Sequence, residues 1–461
     1  MKNIKTALIT LGSVFALSAC LGSDSDEPID FVDPEPPSLS ASVRIVHASP
    51  DAPNVNVLSS GNSISGLSDL AYETATGLAS IRTGQFDFEV EALLPAGASA
   101  VVLEIPATLE DGKEYNVLAV GDTANIAALL VVNDEAAVAM DTVRAQVVHA
   151  APAAPTVDVY VTAADANIAD EQPLATLSFN EFTGQVEVPA GTYRIRVTAA
   201  GTTTVVFDSG SLDLAGGSDL FIAATQNVGA GDAPINLLVA DRTSSFVIAD
   251  VNTTAKVRAI HGIADAPAVD VFADVEGDND ILLFDGAPFK GVTPYINVAA
   301  GDYLLDVKAD ADNSIVAIDD AAVSLVAGVR YTALANNTLA MADLDLIVDD
   351  GRRLATAAQV RIFHASQATG AVDIYVSSDG EIANIEPAFS GVAYSTDMLA
   401  ETGYVQLAAG DYVVTVTPTG TKTAAIETGV LSLEVGKIYT AIAVDGDMEG
   451  DGPQLIVADD F

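Results

Sequence analysis

The sequence of 461 residues contains a single cysteine, Cys20, and no tryptophan. One cysteine excludes a disulfide framework within the chain, and it also excludes a zinc site with four thiolate ligands. The folded chain must therefore be stabilised by packed cores. Because a chain of this length exceeds what one ordinary hydrophobic core supports, several domains are expected.

Basic side chains are also scarce: 19 lysines and arginines stand against 64 acidic residues, which gives a formal net charge of -45. Such a surface repels nucleic acid, and the sequence has neither a basic patch interleaved with aromatics nor a glycine-rich phosphate loop. Nucleic acid is therefore excluded as a partner. Adaptation to a salty medium and cation binding both explain the acidity, and the sequence leaves both open.

The first 19 residues predict a signal peptide for export. Two lysines precede an apolar run over residues 7–17, which is too short to span a bilayer as a helix. The run ends in Leu-Ser-Ala-Cys, which resembles the lipobox of bacterial lipoproteins. This resemblance implies that the thiol of Cys20 carries a diacylglycerol and that Cys20 becomes the mature N-terminus.

The residues after the cysteine predict a tether and a destination. Residues 20–40 are acidic and proline-rich without a periodic pattern, as in a spacer between a lipid and a domain. Leu21 stands where an aspartate would resemble an inner-membrane retention signal. We therefore expect a protein of the cell envelope that is anchored by lipid in the outer membrane, with its periplasmic or surface face left open.

The rest of the chain repeats one pattern four times. Each copy opens on an apolar segment that ends in a histidine, and these are the four histidines of the protein: His47, His149, His261 and His364. Their spacing of roughly 100 residues is the size of a domain. We predict repeat domains at 41–141, 142–254, 255–356 and 357–461.

The local pattern predicts an all-β fold of four tandem immunoglobulin-like Greek-key β-sandwich domains. Short runs rich in valine, isoleucine and tyrosine alternate with polar residues and are separated by glycine, proline and aspartate turns. A Leu-x-x-Gly-x-x-Tyr element at Tyr115, Tyr331 and Tyr439 resembles the tyrosine corner of immunoglobulin and fibronectin type III domains. Because the linkers are short, we expect a semi-rigid string of modules, each roughly 30 Å long.

The opening segment of each copy also resembles a known family. Copy one reads VRIVHASPDAPNVNV, and the pattern V-R-x-x-H-A-S-P-D-A-P-x-V-D-V is similar to the bacterial domain of unknown function 4397. The resemblance covers nearly all of the chain from about residue 41, although Asn56 replaces an aspartate and residues 367–370 lack both prolines. It implies envelope location and tandem sandwiches, and it implies no activity.

The four histidines are the first candidates for chemistry. Strand parity places His47 on the inward face with Val43 and Ile45. A serine two residues later is replaced by Ala151 and Ile263 in other copies, so a Ser-His-Asp triad is not supported. One histidine per domain is too few for zinc. We predict that the histidines are structural and hydrogen-bond the backbone of the following turn.

An acidic loop near the C-terminus offers weak calcium ligands. Asp445, Asp447, Glu449 and Asp451 stand at alternate positions with a glycine at the sixth, similar to the first half of an EF-hand loop. The twelfth position is Ile456 rather than glutamate, and the segment lies between predicted strands. Calcium and a solvated hairpin tip therefore both stay open, and no other cofactor is indicated.

The sequence favours a non-catalytic role, in which a lipid-anchored envelope protein binds, spaces or builds structure at the cell surface. The membrane is one partner through the lipid, and a protein or a glycan at the surface is another. The first alternative is a calcium-stabilised adhesin or glycan-binding module. The second is a hydrolase with a site in one diverged repeat, although we predict no enzymatic activity.

Replacing Cys20 removes the atom to which the predicted lipid is attached. We expect Cys20→Ala to move the exported protein from the membrane to the soluble fraction, because stable anchoring requires the acyl chains. Cell fractionation with immunoblotting measures this shift, and Ser18→Ala is the control that keeps the thiol. A Cys20→Ala chain that stays membrane-bound after export contradicts the anchor.

Overall fold

The structure is a computed structural model that describes residues 39–275, 278–394, 399–447 and 451–460. Cys20 and the predicted signal peptide and tether lie outside the described residues. Residues from Leu39 onward form one compact unit. The described helices are short 3-10 turns, and no helix in the described part of the chain is both long and apolar enough to cross a membrane.

Each of the four sequence repeats folds into short strands. The first contains β1 (Ser40–Ala48), β2 (Val55–Ser59), β3 (Asn62–Ser63), β4 (Thr74–Ala75), β5 (Ala79–Arg82), β6 (Gly84–Leu93), β7 (Ser99–Leu109), β8 (Lys113–Val120) and β9 (Ala127–Asp134). The second contains β10 (Thr142–His149), β11 (Val157–Ala163), β12 (Ala175–Leu177), β13 (Val186–Pro189), β14 (Gly191–Ala199), β15 (Val205–Leu214), β16 (Asp219–Gln226), β17 (Ile235–Ala240) and β18 (Ser245–Ile248).

The second half of the chain repeats this arrangement. The third repeat contains β19 (Ala255–His261), β20 (Val269–Val275), β21 (Asp278–Ala287), β22 (Ile296–Val298), β23 (Gly301–Ala309), β24 (Asp312–Leu325), β25 (Arg330–Asn336) and β26 (Asp343–Asp349). The fourth contains β27 (Ala358–His364), β28 (Val372–Ser377), β29 (Phe389–Val392), β30 (Ala400–Glu401), β31 (Val405–Leu407), β32 (Gly410–Pro418), β33 (Ile426–Glu427), β34 (Leu431–Leu433), β35 (Ile438–Val444) and β36 (Gln454–Asp459).

Two sheets form a sandwich in every repeat, so the prediction of tandem β-sandwich domains is confirmed. In the third repeat the orders are β22-β19-β25-β26 and β21-β20-β23-β24, and the other repeats follow the same plan. The first strand pairs in parallel with the strand that carries the tyrosine motif, as β19 does with β25. This distribution of strands differs from the ABED and CFG sheets of immunoglobulin domains.

The tyrosine motif closes the corner of the sandwich in the three copies that have it. The hydroxyl of Tyr115 accepts a hydrogen bond from the backbone N–H of Glu110 at 3.0 Å. The hydroxyls of Tyr331 and Tyr439 accept equivalent bonds from backbone five residues upstream. The ring is buried in the core of its repeat in each case. These bonds are the ones that the resemblance to a tyrosine corner implies.

The repeats are not a string, and that expectation was wrong. The outward face of the first sheet in repeat 1 packs against the same face of repeat 2 and forms a second core between them. This core contains Val46, Leu118 and Val131 of repeat 1 with Val148 and Phe221 of repeat 2. Strand parity identified the inward face correctly, but the outward face is apolar too and is covered by the neighbouring repeat.

Repeats 3 and 4 pair through the same faces. Their shared core contains Ile260 and Leu334 of repeat 3 with Phe363, Ile442 and Val444 of repeat 4. Ile260 and Phe363 stand at the position of Val46 in the repeated motif. The chain is therefore built from two pairs of sandwiches, and the first strand of each repeat is buried on both sides, as is usual for parallel pairing.

Polar side chains cross the interface between repeats 1 and 2 at the edges of this core. The guanidinium of Arg44, which is almost fully buried, donates to the backbone carbonyl of Asp241 in repeat 2. In the opposite direction, Asn133 of repeat 1 donates from Nδ2 to Oε1 of Gln146 at 2.8 Å. Each repeat therefore contributes a group to the other.

Equivalent positions make ion pairs between repeats 3 and 4. Arg258, the counterpart of Arg44, donates to the carboxylate of Asp459 at 2.7 Å. Arg361, the counterpart of Gln146, donates to the carboxylate of Asp349 across the interface. At these positions the acceptors between repeats 3 and 4 are carboxylates, whereas those between repeats 1 and 2 are a backbone carbonyl and a side-chain amide.

The paired arrangement predicts a large cost for truncating an outward-facing residue. Leu118 lies on β8 and is fully buried against repeat 2. We expect Leu118→Ala to lower the free energy of unfolding by about 2–4 kcal/mol, as for a core leucine. The control, Leu130→Ala on β9, removes a leucine that is 38% exposed and should cost about 0.5 kcal/mol or less.

Urea unfolding of both variants measures these costs. A string of separate modules would leave Leu118 in water, so equal small losses for the two variants would contradict the pairing.

Candidate functional site

The four histidines are buried and bound to the turns that follow them. Nε2 of each lies within 3.0 Å of a backbone carbonyl oxygen six residues later in the chain. The acceptors are Pro53, Pro155, Pro267 and Gly370. The exposed fraction of each of the four histidines is 2% or less. Each imidazole therefore holds a turn, and none of them reaches solvent.

Burial also sets the charge of these rings. Loss of hydration lowers the pKa of His47 from 6.5 to about 4, and it lowers the pKa of His149 and of His261 as well. A neutral imidazole can donate from Nε2 to the carbonyl while Nδ1 accepts. In the first copy the backbone N–H of Ser49 lies 3.4 Å from that Nδ1.

An aromatic ring packs edge-on against every histidine. The four partners are Tyr72, Phe179, Phe289 and Tyr394, with ring centroids 6.1–6.3 Å from the imidazole. Sequence reasoning missed this recurring aromatic. Its signal was available, because in all four copies at least one aromatic residue stands 25 to 30 positions after the histidine.

The recurring aspartates of the second strand are structural as well. Asp158 accepts the backbone N–H of Gly201 at 2.7 Å, and Asp373 accepts those of Gly391 and Gly420, both at 2.8 Å. These bonds lower the pKa of Asp373. The carboxylates thus stabilise turns within the sheet that contains the second strand, whereas the histidines lie on the other sheet and point into the core.

The weak calcium candidates are partly engaged by the protein. Asp445 accepts from the hydroxyl of Ser366 and from the backbone N–H of Ala368, in the turn after His364. Asp447 accepts from the side chain of Gln454 at 3.0 Å. Glu449 lies outside the described residues. Asp451 is described at the start of the last segment, and among the described residues it does not form a metal-sized carboxylate group with Asp445.

A cavity of about 720 Å³ lies where the two pairs of repeats meet. It is partly open, and all four repeats line it. Its lining includes Tyr72 and Glu73 of repeat 1, Asn236 and Val247 of repeat 2, Arg330 and Val348 of repeat 3, and Arg361 and Tyr404 of repeat 4. Sequence reasoning placed no site here, because these residues are far apart in the chain.

A half-buried carboxyl group, that of Glu73, forms one wall of this junction cavity. Glu73 accepts hydrogen bonds from the hydroxyl of Thr225 at 2.7 Å and from Nδ2 of Asn236 at 3.1 Å. Burial raises the pKa of Glu73, and the two hydrogen bonds oppose this rise. The neighbouring Tyr72 donates its hydroxyl to the carbonyl of Gln226 at 2.6 Å. Repeats 1 and 2 are thus fixed together at the cavity.

The linker between repeats 3 and 4 closes the cavity against repeat 1. Arg352 donates from Nη1 to the carbonyl of Ala52 at 2.6 Å, and its guanidinium lies 5.6 Å from the ring centre of Tyr72. Burial lowers the pKa of Arg352, while nearby carboxylates oppose this. The backbone N–H of Ala355 also donates to the carbonyl of Asp51 at 2.8 Å.

Two further arginines complete the wall formed by repeats 3 and 4. Arg361 lies 4.3 Å from the ring centre of Tyr404 and is paired with Asp349. Arg330 donates from Nη2 to the carbonyl of Gly229 at 3.1 Å. The side chain of Arg330 rests on Gly351, where a Cβ would lie only 2.6 Å from Nε. The glycine makes room for the guanidinium.

The sequence held one signal for this site. Arginine is rare in the chain, yet four arginines fall within residues 330–361. Three of them, Arg330, Arg352 and Arg361, line the cavity, whereas Arg353 pairs with Asp460 outside it. This cluster of guanidinium groups in an acidic chain indicates residues 330–361 as part of a candidate site.

Because burial holds His47 neutral, the stability of the native chain should depend on pH differently from that of a variant without this histidine. An unfolded histidine takes up a proton near pH 6.5, whereas the folded one does so only near pH 4. Between these values the unfolded state binds more protons, so acid lowers the free energy of unfolding. Between pH 7.5 and pH 5, the free energy of unfolding of the native chain should therefore fall by about 2 kcal/mol more than that of His47→Gln.

Urea unfolding at the two pH values measures this difference. The variant cancels the contributions of the many carboxylates, which both chains share. Parallel pH profiles for the two chains would show that His47 is not held neutral by burial.

Comparison with solved structures gives only distant similarity. The TIE protein of Bacillus anthracis is 11% identical over 85% of this chain and 65% of its own, with a TM-score of 0.17. A family 26 carbohydrate-binding module of Eubacterium rectale in complex with maltoheptaose is 12% identical over 45% of this chain and 97% of its own, with a TM-score of 0.16. These TM-scores are too low for either structure to indicate a function of this chain.

No curated protein matches the chain. A family model does: the domain of unknown function DUF4397 matches residues 41–160 and 255–375, which together make up more than half of the chain. These two regions begin at the first strands of repeats 1 and 3, so they agree with tandem copies of the domain. The resemblance noted in the repeated motif is therefore confirmed, and the chain belongs to the DUF4397 family.

Proposed function

We propose that this protein is a lipid-anchored, non-catalytic binding protein of the cell envelope, and that its ligand occupies the junction cavity. Repeats of the DUF4397 domain are compatible with a binding role. The observation that carries the proposal is the cavity itself, because four repeats from distant parts of the chain converge to line one space. Ligand sites occur preferentially where domains meet, and about 300–1,000 Å³ is their usual size.

The state of the histidines supports a role without catalysis. General base catalysis needs a nitrogen that can reach a substrate proton. In His47 and its three counterparts, Nε2 is engaged by a turn carbonyl and the ring is excluded from solvent. The histidines repeated in every copy therefore build the fold, and none of them lines the cavity.

The envelope location rests on the sequence. A diacylglycerol on Cys20 would hold the tether at a membrane, and Leu21 favours the outer one. The surface charge of the chain is strongly negative, which suits a protein that stays clear of anionic lipid headgroups while its N-terminus is anchored. A lipid-tethered body with a ligand in this cavity is then a receptor or a spacer that recognises an envelope component.

Filling the cavity should abolish ligand binding without unfolding the protein. Val348 lines the cavity and is 60% exposed, so Val348→Trp adds bulk there without disturbing a core. Val457→Trp is the matched control, because Val457 is 45% exposed on the last strand of repeat 4 and lies outside the lining.

Native mass spectrometry of the full chain, purified in detergent from its own envelope, gives the readout. We expect a small-molecule adduct on the wild type and on Val457→Trp, and none on Val348→Trp. The adduct should also keep its mass during incubation. Equal adducts on both variants, no adduct on the wild type, or conversion of the ligand to a product would contradict the proposal.

A further inference from the structure

We infer that the free edge of β9 in repeat 1 binds an extended, apolar segment of a partner polypeptide, which pairs with β9 as one more strand of the sheet. This surface lies outside the junction cavity, so the inference goes beyond the proposed function and does not depend on it. Three observations support it: the strand that covers the same edge in repeat 2, the apolar surface that β9 leaves exposed, and the reciprocal packing of repeats 1 and 2.

Repeat 2 shows how such an edge is covered. Its first sheet has an additional strand, β18, which pairs antiparallel with β17 and places Phe246 opposite Val239. Ile248 of β18 packs against the core of repeat 2. Under this cover Val239 is only 3% exposed. A strand with bulky side chains at alternate positions therefore completes this edge of the sandwich.

β9 is the equivalent edge of repeat 1, and within the described chain no strand pairs with its outer side. Leu130 of β9 corresponds to Val239 of β17 in the pairing with the preceding strand. Leu130 is nevertheless 38% exposed, and Val132 on the same face is exposed as well. An added strand would remove this apolar surface from water, as β18 does in repeat 2.

Proteins usually protect an exposed edge strand with charged residues, proline, a bulge or a short length. β9 is eight residues long, residues 127–132 are uncharged and apolar, and the pairing with β8 runs without a register shift. The corresponding strands differ, because β26 carries three aspartates and β36 is only six residues long. β9 is therefore the edge best suited to accept another strand.

The backbone groups of Leu130 face this free edge. In repeat 2 the N–H of Asp241 donates to the carbonyl of Ser244, in the turn between β17 and β18. Because alternate residues of an antiparallel strand direct their N–H and C=O groups to the same side, Val239 faces β18 as Asp241 does. Leu130, at the position of Val239, therefore presents its N–H and C=O to an incoming strand.

An added strand would also continue an existing interface. β18 rests on repeat 1, where the hydroxyl of Ser245 donates to the carbonyl of Ala75 at 2.9 Å. Phe182 is the counterpart of Ala75 in repeat 2, since each lies opposite the valine that precedes the motif histidine. The ring of Phe182 is exposed. Because repeats 1 and 2 pack through the same faces, a strand on β9 lies beside Phe182 and covers it.

These features define the chemistry of the partner segment. It is extended and carries aromatic or aliphatic side chains at alternate positions, like Phe246 and Ile248 of β18. It is not acidic, because the chain has a net charge of -45, and the same charge disfavours a second copy of the chain as the occupant. Strand addition of this kind derives affinity from backbone hydrogen bonds and specificity from the alternate side chains.

Fluorescence anisotropy with the full chain in detergent tests this binding, and the probe is a labelled peptide of residues 242–249, which contains β18. We expect saturable binding of this peptide, and none of the peptide with Phe246→Ser and Ile248→Ser. In the protein, Leu130→Pro should weaken binding about tenfold or more, because proline removes the edge N–H and blocks the approach of another strand.

Val457→Pro is the matched control. Val457 holds the corresponding position on β36 and is also exposed, so the same change is made at an edge where no binding is expected. Leu130→Lys is a second test variant that keeps every backbone hydrogen bond, and a lysine protects an edge strand against pairing. Its affinity for the peptide should fall as that of Leu130→Pro does.

Four results would overturn the inference: peptide binding that survives in both Leu130 variants, an equal loss in Val457→Pro, equal binding of the serine-substituted peptide, or no binding at all. Dimers of the full chain that disappear in Leu130→Pro, measured by analytical ultracentrifugation, would overturn it too, because the occupant would then be a second copy. None of these outcomes bears on the junction cavity, whose ligand is tested separately by Val348→Trp.

Discussion

The structure depends on one constraint, which is that the first strand of every repeat must be covered on both faces. Its inward face holds the valines and the histidine of the repeated motif, and its outward face holds an apolar residue such as Val46 or Ile260. A single sandwich covers only the inward side. Burial of apolar surface at about 25 cal/mol per Å² therefore drives two sandwiches together.

The polar groups at the edge of each interface set its register. Arg44 and Arg258 both reach a carbonyl or carboxylate on the next repeat, and Arg361 reaches back to Asp349. A buried ion pair contributes little net stability, because desolvation offsets much of the attraction. A mismatched register would leave a buried guanidinium unpaired, and this penalty selects one arrangement. The same guanidinium of Arg361 then becomes part of the cavity that the pairing creates.

The sequence was sufficient for everything that depends on local pattern. Alternation gave the strands, repetition gave the four sandwiches, and parity gave the inward direction of His47. It failed where a contact joins distant segments. Parity identifies which residues share a face, but it does not say whether the outward face meets water or another domain. Short linkers were therefore interpreted as a string, although they also permit pairs.

The cavity was out of reach for the same reason. Glu73, Asn236, Arg330 and Tyr404 come together only after two pairs of repeats dock, and none of them belongs to the repeated motif. Repetition drew attention to the histidines, which build the turns. Arg361 is the one residue of the V-R-x-x-H motif that reaches the cavity, and it does so only because the repeats pair.

Small-angle X-ray scattering of the chain from residue 39 onward tests face-to-face pairing most directly. A compact body of this length has a radius of gyration of roughly 22 Å, whereas four modules end to end would give roughly 35 Å. The paired arrangement predicts a value near the first figure. A value near the second would contradict it.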